Sequence, residues 1–347
     1  NTHRLADGKG TTGSDYDVRI EGFYPKDIHF RSNNGAVFIE NIFRVTEKLL
    51  IIPGIRYEWL EGSASGSNGL SGNDAIIHLQ NITRSRSFIL GGIGSEFHLT
   101  NTTEFYANFS QAYRPIQFAN LQAPPTTDLV DPDLKDASGY NFDIGYRGKI
   151  GPINLDANLY YNMYDGFINQ KIVITPENGS TADGSAIADI VTGQYKAFQL
   201  YTNATEQIQS YGFVVGGNFK FAENFVFGVN YTYAKFDFDQ ANEPDFAAGF
   251  NTPENQVKIS IGNPKLFKNF GFNMNVRWQN AFVWESTFLD ATVDGRTVLD
   301  AQINYSIPKF KSVIKLGGAN LGGQEYFSAP GVGAIGSQYY ISWTINN

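Results

Sequence analysis

The chain has no cysteine, so disulfide frameworks, thiolate nucleophiles and cysteine metal clusters are excluded. That absence also suits an oxidising compartment, where a free thiol is a liability. No apolar run approaches the roughly 18 residues that a membrane-crossing helix needs. Basic residues are outnumbered, 26 Lys+Arg against 34 Asp+Glu, with a net charge of -8, which argues against a nucleic-acid partner. Histidine is scarce: His3, His29, His78 and His98 are the four, and no metal-ligand spacing links them. A Gly-x-Ser-x-Gly elbow and a phosphate-binding Gly-Lys-Ser/Thr loop are both missing. Gly91-Gly92-Ile93-Gly94 could suggest a phosphate loop, but it lies inside a strand pattern. Neither an enzyme nor a bound cofactor or metal is expected. Helical periodicity, solenoid repeats and low-complexity tracts are absent as well.

What the chain does have is alternation and aromatic residues. Phe225, Phe227, Val229, Tyr231 and Tyr233 interleave with Val226, Gly228, Asn230 and Thr232. Ile153, Leu155, Ala157, Leu159, Tyr161 and Met163 interleave with Asn154, Asp156, Asn158, Tyr160, Asn162 and Tyr164. Lys258, Arg277 and Asp300 sit on polar faces of the same kind, opposite Ile259, Val276 and Leu299. A charge facing lipid near the midplane costs roughly 2–4 kcal/mol, so charges confined to one face mark a wet interior. Mean hydropathy is only -0.26, as expected when alternate residues alone meet lipid. The 15% aromatic content suits interfacial girdles. The fold class is therefore all-β, a transmembrane antiparallel β-barrel.

The alternation predicts strands at Ala36–Val45, Leu49–Trp59, Ser87–His98, Thr103–Tyr113, Gly139–Arg147, Ile153–Tyr164 and Ser210–Lys220. Further strands are predicted at Phe225–Lys235, Gln256–Gly262, Gly271–Asn280, Val298–Ser306, Ser312–Asn320 and Gln338–Asn346, with one more possible at Tyr16–Tyr24. Residues 1–33 read as an extracellular loop or partial strand, and 34–347 as barrel. Short connections (Thr46–Lys48, Leu99–Thr102, Gly148–Pro152, Phe221–Asn224, Asn263–Phe270, Ile307–Lys311) alternate with long ones. The long ones are Leu60–Arg86, Arg114–Ser138, Asp165–Gln209, Phe236–Asn255, Ala281–Thr297 and Leu321–Ser337. Tight periplasmic turns and long extracellular loops give this order, which a sandwich or propeller has no reason to keep.

Three segments carry a family resemblance. They are Phe38-Ile39-Glu40-Asn41 with Ile52-Pro53-Gly54-Ile55-Arg56-Tyr57-Glu58; Asn108-Phe109-Ser110-Gln111-Ala112-Tyr113-Arg114-Pro115 with Asp131-Pro132-Asp133-Leu134-Lys135 and Gly145-Tyr146-Arg147-Gly148; and Gly318-Ala319-Asn320-Leu321 with Glu325-Tyr326-Phe327. Together, in this order and spacing, the chain resembles the barrel half of TonB-dependent outer-membrane receptors, and within them the ferric-dicitrate branch. The resemblance implies a barrel of about 22 strands with a plugged lumen, of which this chain would supply the last 13 or so. The plug and the segment that contacts TonB would then precede Asn1. Implied partners are outer-membrane lipid, TonB through that plug and an iron-chelate ligand, with a surface lipoprotein left open as a further one. The terminus, Trp343-Thr344-Ile345-Asn346-Asn347, departs from the terminal aromatic common in outer-membrane proteins.

Ligand contacts are expected at the extracellular rim. Arg114 ends an upward strand, and its guanidinium suits a carboxylate of an anionic chelate. Gln117 follows as a neutral hydrogen-bond partner. Arg84 and Arg86 stand where the Leu60–Arg86 loop re-enters the barrel, and His29 and Arg31 lie in the loop before the first strand. Against these stands the plainer reading of rim arginines tied to neighbouring carboxylates. The acidic segment Asp128–Asp136 reads as a solvated loop, without regular calcium-ligand spacing. The function read is TonB-dependent uptake of an iron chelate such as ferric citrate or another siderophore. A self-contained porin, a glycan or cobalamin-like ligand, and an adhesive barrel remain open.

Overall fold

The computed structural model describes residues 2–4, 26–70, 76–117, 128–176, 195–286 and 289–345. Its strands begin with β1 (Thr2–Arg4), β2 (Lys26–Glu40), β3 (Phe43–Arg44), β4 (Leu49–Leu70), β5 (Ile76–Thr100), β6 (Thr103–Arg114) and β7 (Asp128–Val130). They continue with β8 (Ala137–Ile150), β9 (Ile153–Asp165), β10 (Ile168–Pro176), β11 (Tyr195–Asn203), β12 (Ile208–Phe221), β13 (Phe225–Asp237) and β14 (Asn255–Phe267). The last are β15 (Phe270–Gln279), β16 (Phe282–Trp284), β17 (Ala291–Val293), β18 (Arg296–Ile307), β19 (Ser312–Ala319) and β20 (Gln338–Ile345). Among the described residues no helix is long and apolar enough to cross a membrane, which says nothing about strands.

One 15-stranded sheet holds most of these, in the order β1-β2-β4-β5-β6-β8-β9-β12-β13-β14-β15-β18-β19-β20, with β3 beside β4. Its sequential strands pair antiparallel, as at β8–β9 and β13–β14. Among the described residues no ladder returns from β20 to the other edge. Each strand expected from alternation corresponds to an observed one, except Tyr16–Tyr24, which lies outside the described residues.

The short connections are tight. Thr46 Oγ1 accepts Lys48 N–H and Leu49 N–H at 3.1 and 3.0 Å. At the β12–β13 turn Ala222 and Asn224 adopt φ of 46° and 67°. The expected Asn263–Phe270 turn is shorter, because β14 runs on to Phe267 after a register shift at Asn263.

Several expected loops are instead built of strand. Leu60–Arg86 is mostly the extended arms of β4 and β5, paired from Leu60↔Arg86 to Leu70↔Ile76. Ser63-Ala64-Ser65-Gly66-Ser67 reads as loop because it has no apolar face. Ala64 is nevertheless buried there, against Ile28 and Phe30 of β2, so the apolar partners come from another strand and no local alternation shows. His29 and Arg31 likewise lie within β2 rather than in a loop before it. Asp165–Gln209 contains β10 and β11, which pair antiparallel, and β7 from the Arg114–Ser138 connection joins β11 in parallel. The Ala281–Thr297 connection holds the small β16–β17 hairpin.

The facing is as the alternation requires. Leu159, Val229 and Ile259 are exposed on one face, and one outward row runs Phe105↔Tyr146↔Ala157↔Val215↔Tyr231↔Val257↔Trp278. The polar face carries the matching row His98↔Glu104↔Arg147↔Asp156↔Gly216↔Asn230↔Lys258↔Arg277. Ions cluster along it: Arg147 Nε donates to Asp156 Oδ2 at 3.1 Å, and Arg277 Nη2 to Asp300 Oδ2 at 2.9 Å. The long connections have small cores of their own. Ala204, Ile208 and Phe246 are buried together, with Tyr164, Phe167, Phe238 and Phe250 packed against them.

Candidate functional site

Strand register assembles a basic recess at the long-connection end of the sheet. Ser32 pairs with Gly62, which pairs with Arg84; Leu60 pairs with Arg86 one step along the same face. Pro115, Ile116 and Gln117 follow the end of β6 and close the recess to a cavity of about 230 Å³. The structure thus brings Arg84, Arg86 and Gln117 together.

An apolar cluster and one carboxylate position these side chains. Ile116, Leu134, Ala137 and Ile168 are buried against one another. Arg84 Nη1 donates to the Leu134 carbonyl at 2.7 Å. Asp136, just before β8, accepts the Tyr113 hydroxyl on Oδ2 and the Ile116 N–H on Oδ1 at 2.8 Å. Arg86 Nε lies 3.0 Å from Asp136 Oδ2, with the side chains 18% and 10% exposed. This contact lacks hydrogen-bond alignment, and among the described residues Arg86 Nη1 is buried without a hydrogen-bond partner. A buried donor left this way costs its desolvation, so it stands ready for an acceptor.

The remaining candidates lie elsewhere. Arg114 turns to the next connection, its guanidinium 5.4 Å from the Phe167 ring centroid and its Nη1 3.4 Å from the Ile168 carbonyl. His29 and Arg31 are on the opposite face of β2 from Ser32, since successive residues alternate. His29 Nε2 stands 3.5 Å from Asp27 Oδ1.

Sequence reasoning missed Asp136, which sat in a segment expected to be solvated. The structure corrects that expectation. Asp131 accepts Asp133 N–H at 2.8 Å and Thr202 Oγ1 at 2.6 Å, and Asp128 accepts Gln170 Nε2 at 3.1 Å. These carboxylates tie the loop to β10 and β11. A run of aspartates gives no sign of such partners, which arrive from distant sequence.

Two other groupings lie on the polar face. A trough of about 700 Å³ runs past Asp156, Asn230, Lys258 and Arg277. At the β5–β6 turn, Glu96, His98 and Glu104 place one ligand atom each within 4.8 Å of the others. The sequence shows no such spacing because strand pairing creates it. Arg147 already stands 3.6 Å from Glu104.

Comparisons with known proteins agree with this architecture. The model of a family described as TonB dependent receptor-like, beta-barrel, matches residues 2–321. A Rhizobactin receptor of Rhizobium meliloti (strain 1021) is 29% identical over 157 residues, 39% of this chain and 21% of that protein. The copper transporter OprC superposes with a TM-score of 0.71 at 16% identity, over 96% of this chain and 50% of that one. The unliganded ferric citrate transporter FecA gives 0.66 at 13%, over 96% and 47%. At such identities the structural likeness concerns the fold alone. The chain spans half or less of the length of these relatives.

Proposed function

Because the chain belongs to the TonB-dependent receptor β-barrel family of the outer membrane, we propose that it is the carboxyl-terminal barrel portion of a receptor that captures an iron chelate. In the intact protein a plug would fill the lumen, and TonB would act through it to release the ligand inward. Residues 34–347 would be barrel wall and surface loops, with residues 1–33 an extracellular loop or partial strand at its edge. Lipid would bathe the apolar face, and a surface lipoprotein could join the long connections. Family membership favours this coupled receptor over a self-contained porin.

The carrying observation is the basic cavity at the long-connection end. The chain as a whole is acidic, at -8, so an anionic ligand must be drawn locally. Arg84, Arg86 and Gln117 supply that attraction, with Arg114 at the neighbouring connection and His29 and Arg31 on the far face of β2. Relatives of this fold include a ferric citrate transporter and a copper transporter, so fold alone does not choose the ligand. Carboxylate-bearing ferric chelates, ferric citrate first, fit a guanidinium-lined site. A glycan or cobalamin-like ligand would draw little from these charges.

The test is binding of ferric citrate to the full-length receptor. Arg84→Ala should weaken it by about 1.5–3 kcal/mol, the worth of a charge-assisted hydrogen bond, and Arg114→Ala by less. Unchanged affinity in both would remove ferric citrate from this rim.

A further inference from the structure

The charges in the cavity are not equivalent, and the difference bears on what it accepts. Arg86 already faces Asp136, whereas among the described residues Arg84 meets the neutral Leu134 carbonyl. Arg84 and Arg86 line the recess and Asp136 lies beside Arg86 outside that lining, so the three together leave a single net positive charge. Its volume of about 230 Å³ is below the roughly 300–1,000 Å³ of pockets that enclose a drug-sized ligand. A whole ferric chelate is of that larger class, so only a projecting arm can enter. Among the described residues two buried Arg86 donors, Nε and Nη1, have no hydrogen-bond partner, and Nη1 is the one not already beside Asp136.

We propose that this cavity is a subsite for one singly charged carboxylate arm, and that Asp136 is the residue that sets the one-charge limit. This deepens the receptor reading by naming what the recess admits. The arm's oxygens would accept from Arg86 Nη1 and from Arg84, with Gln117 at the mouth. A second negative charge on the same arm would find no second free cation among the described residues, because Asp136, held behind the lining by Tyr113, Ile116 and Arg86, already offsets Arg86. Asp136 is thus a specificity residue acting by offsetting the charge of Arg86 as well as by holding it in place.

The experiment is arginine-selective labelling of the full-length receptor with phenylglyoxal, followed by peptide mass spectrometry. Acetate and malonate are compared at matched ionic strength, with exposed Arg44 at the opposite end of β4 as the reference. Acetate should slow labelling of Arg84 at least threefold and leave Arg44 unchanged. Malonate should protect no better than acetate in the wild type, but at least threefold better in Asp136→Asn. The wild-type comparison stands even if the variant fails to fold. Absence of acetate protection at Arg84, or malonate protecting better in the wild type, overturns the proposal. Because the readout is protection by small carboxylates, it is independent of transport. Protection without ferric citrate binding would remove that ligand and keep the subsite.

Discussion

The side chain of Gln111 stands in for a neighbouring strand: its Oε1 accepts the Gly91 N–H at 2.7 Å. This is the point where β5 and β6 part. Their ladder runs from Thr100↔Thr103 to Gly92↔Ser110 and goes no further, while β6 stays paired to β8 up to Arg114↔Ala137. Beyond Gln111 the gap is occupied by Tyr113, which stacks on Phe88 with ring centroids 3.7 Å apart. The parting makes room for Pro115–Gln117 to cover the arginines of β5.

Gln111→Leu should therefore loosen the mouth of the cavity. A typical hydrogen bond contributes about 0.5–1.5 kcal/mol, and partial solvent access at Gly91 places this one in the lower half. Hydrogen exchange at Gly91 should quicken by roughly three- to fivefold, with exchange at Gly94 unchanged. Equal exchange at Gly91 in both proteins would show that the ladder break does not depend on this side chain.

The packed connections offer a second test. Phe246 is almost fully buried, beside Ile208 and Ala204, and its neighbours Asp245 and Ala247 hydrogen-bond to Ile172 and Gln170 of β10. Phe246→Ala removes a large buried ring, a loss of about 3–5 kcal/mol. The loss should fall mainly on the long connections, because the main sheet meets this cluster at the ends of β9 and β12, through Tyr164 and Ile208. Amides of β10 and β11 should exchange faster, while those of β13 and β14 keep their protection. Uniform loss of protection across the sheet would make the cluster part of the barrel's own stability.

Topology is open to labelling in cells. Glu223 lies in the β12–β13 turn and Asn242 in the long connection after β13. Asn242→Cys should react with an impermeant maleimide on intact cells, and Glu223→Cys only after lysis. The reverse pattern would invert the assignment of the two ends.

The sheet was legible in the sequence wherever one face met lipid. Val229, Tyr231 and Ile259 announce their strands because a bilayer enforces alternation at every second residue. It was not legible above the bilayer. Ser63 to Ser67 of β4 pair with β2, and the single small side chain that packs there, Ala64 against Ile28 and Phe30, leaves no alternating record in the segment. The site divides the same way. Arg84 and Arg86 were visible as charges at a strand end, but Asp136 was not, since its partners Tyr113, Ile116 and Arg86 come from other segments. Arg114 was correctly seen at a strand end, yet its direction depends on Phe167, which no local pattern links to it.

The alternation itself yields a sharp contrast between neighbours. Val229 pairs with Ile259 on the apolar face, and Asn230 pairs with Lys258 on the polar one. Val229→Arg should cost on the order of 2–4 kcal/mol of folding free energy in a bilayer if the site is near midplane. Asn230→Arg should cost under about 1 kcal/mol, since water solvates that face. Urea titration of the full-length receptor folded into vesicles would read both. Equal losses would mean that the two faces meet the same solvent.

Ion pairs should divide by burial in the same assay. The Arg277–Asp300 pair is half open to water, with side chains 48% and 23% exposed, and such pairs are worth about 0–1 kcal/mol. The Arg86–Asp136 pair is much more enclosed. Removing one partner of an enclosed pair strands the other charge, a loss of about 3–5 kcal/mol. Asp136 retains the Tyr113 hydroxyl and the Ile116 N–H when Arg86 is gone, so Arg86→Ala should fall near the lower end, at about 3 kcal/mol. Arg277→Ala should fall within about 1 kcal/mol. Adding salt should erase the Arg277 effect and leave most of the Arg86 effect, because enclosed charges are poorly screened. If both variants lose the same stability and respond alike to salt, the recess around Arg86 is as wet as the trough beside Arg277.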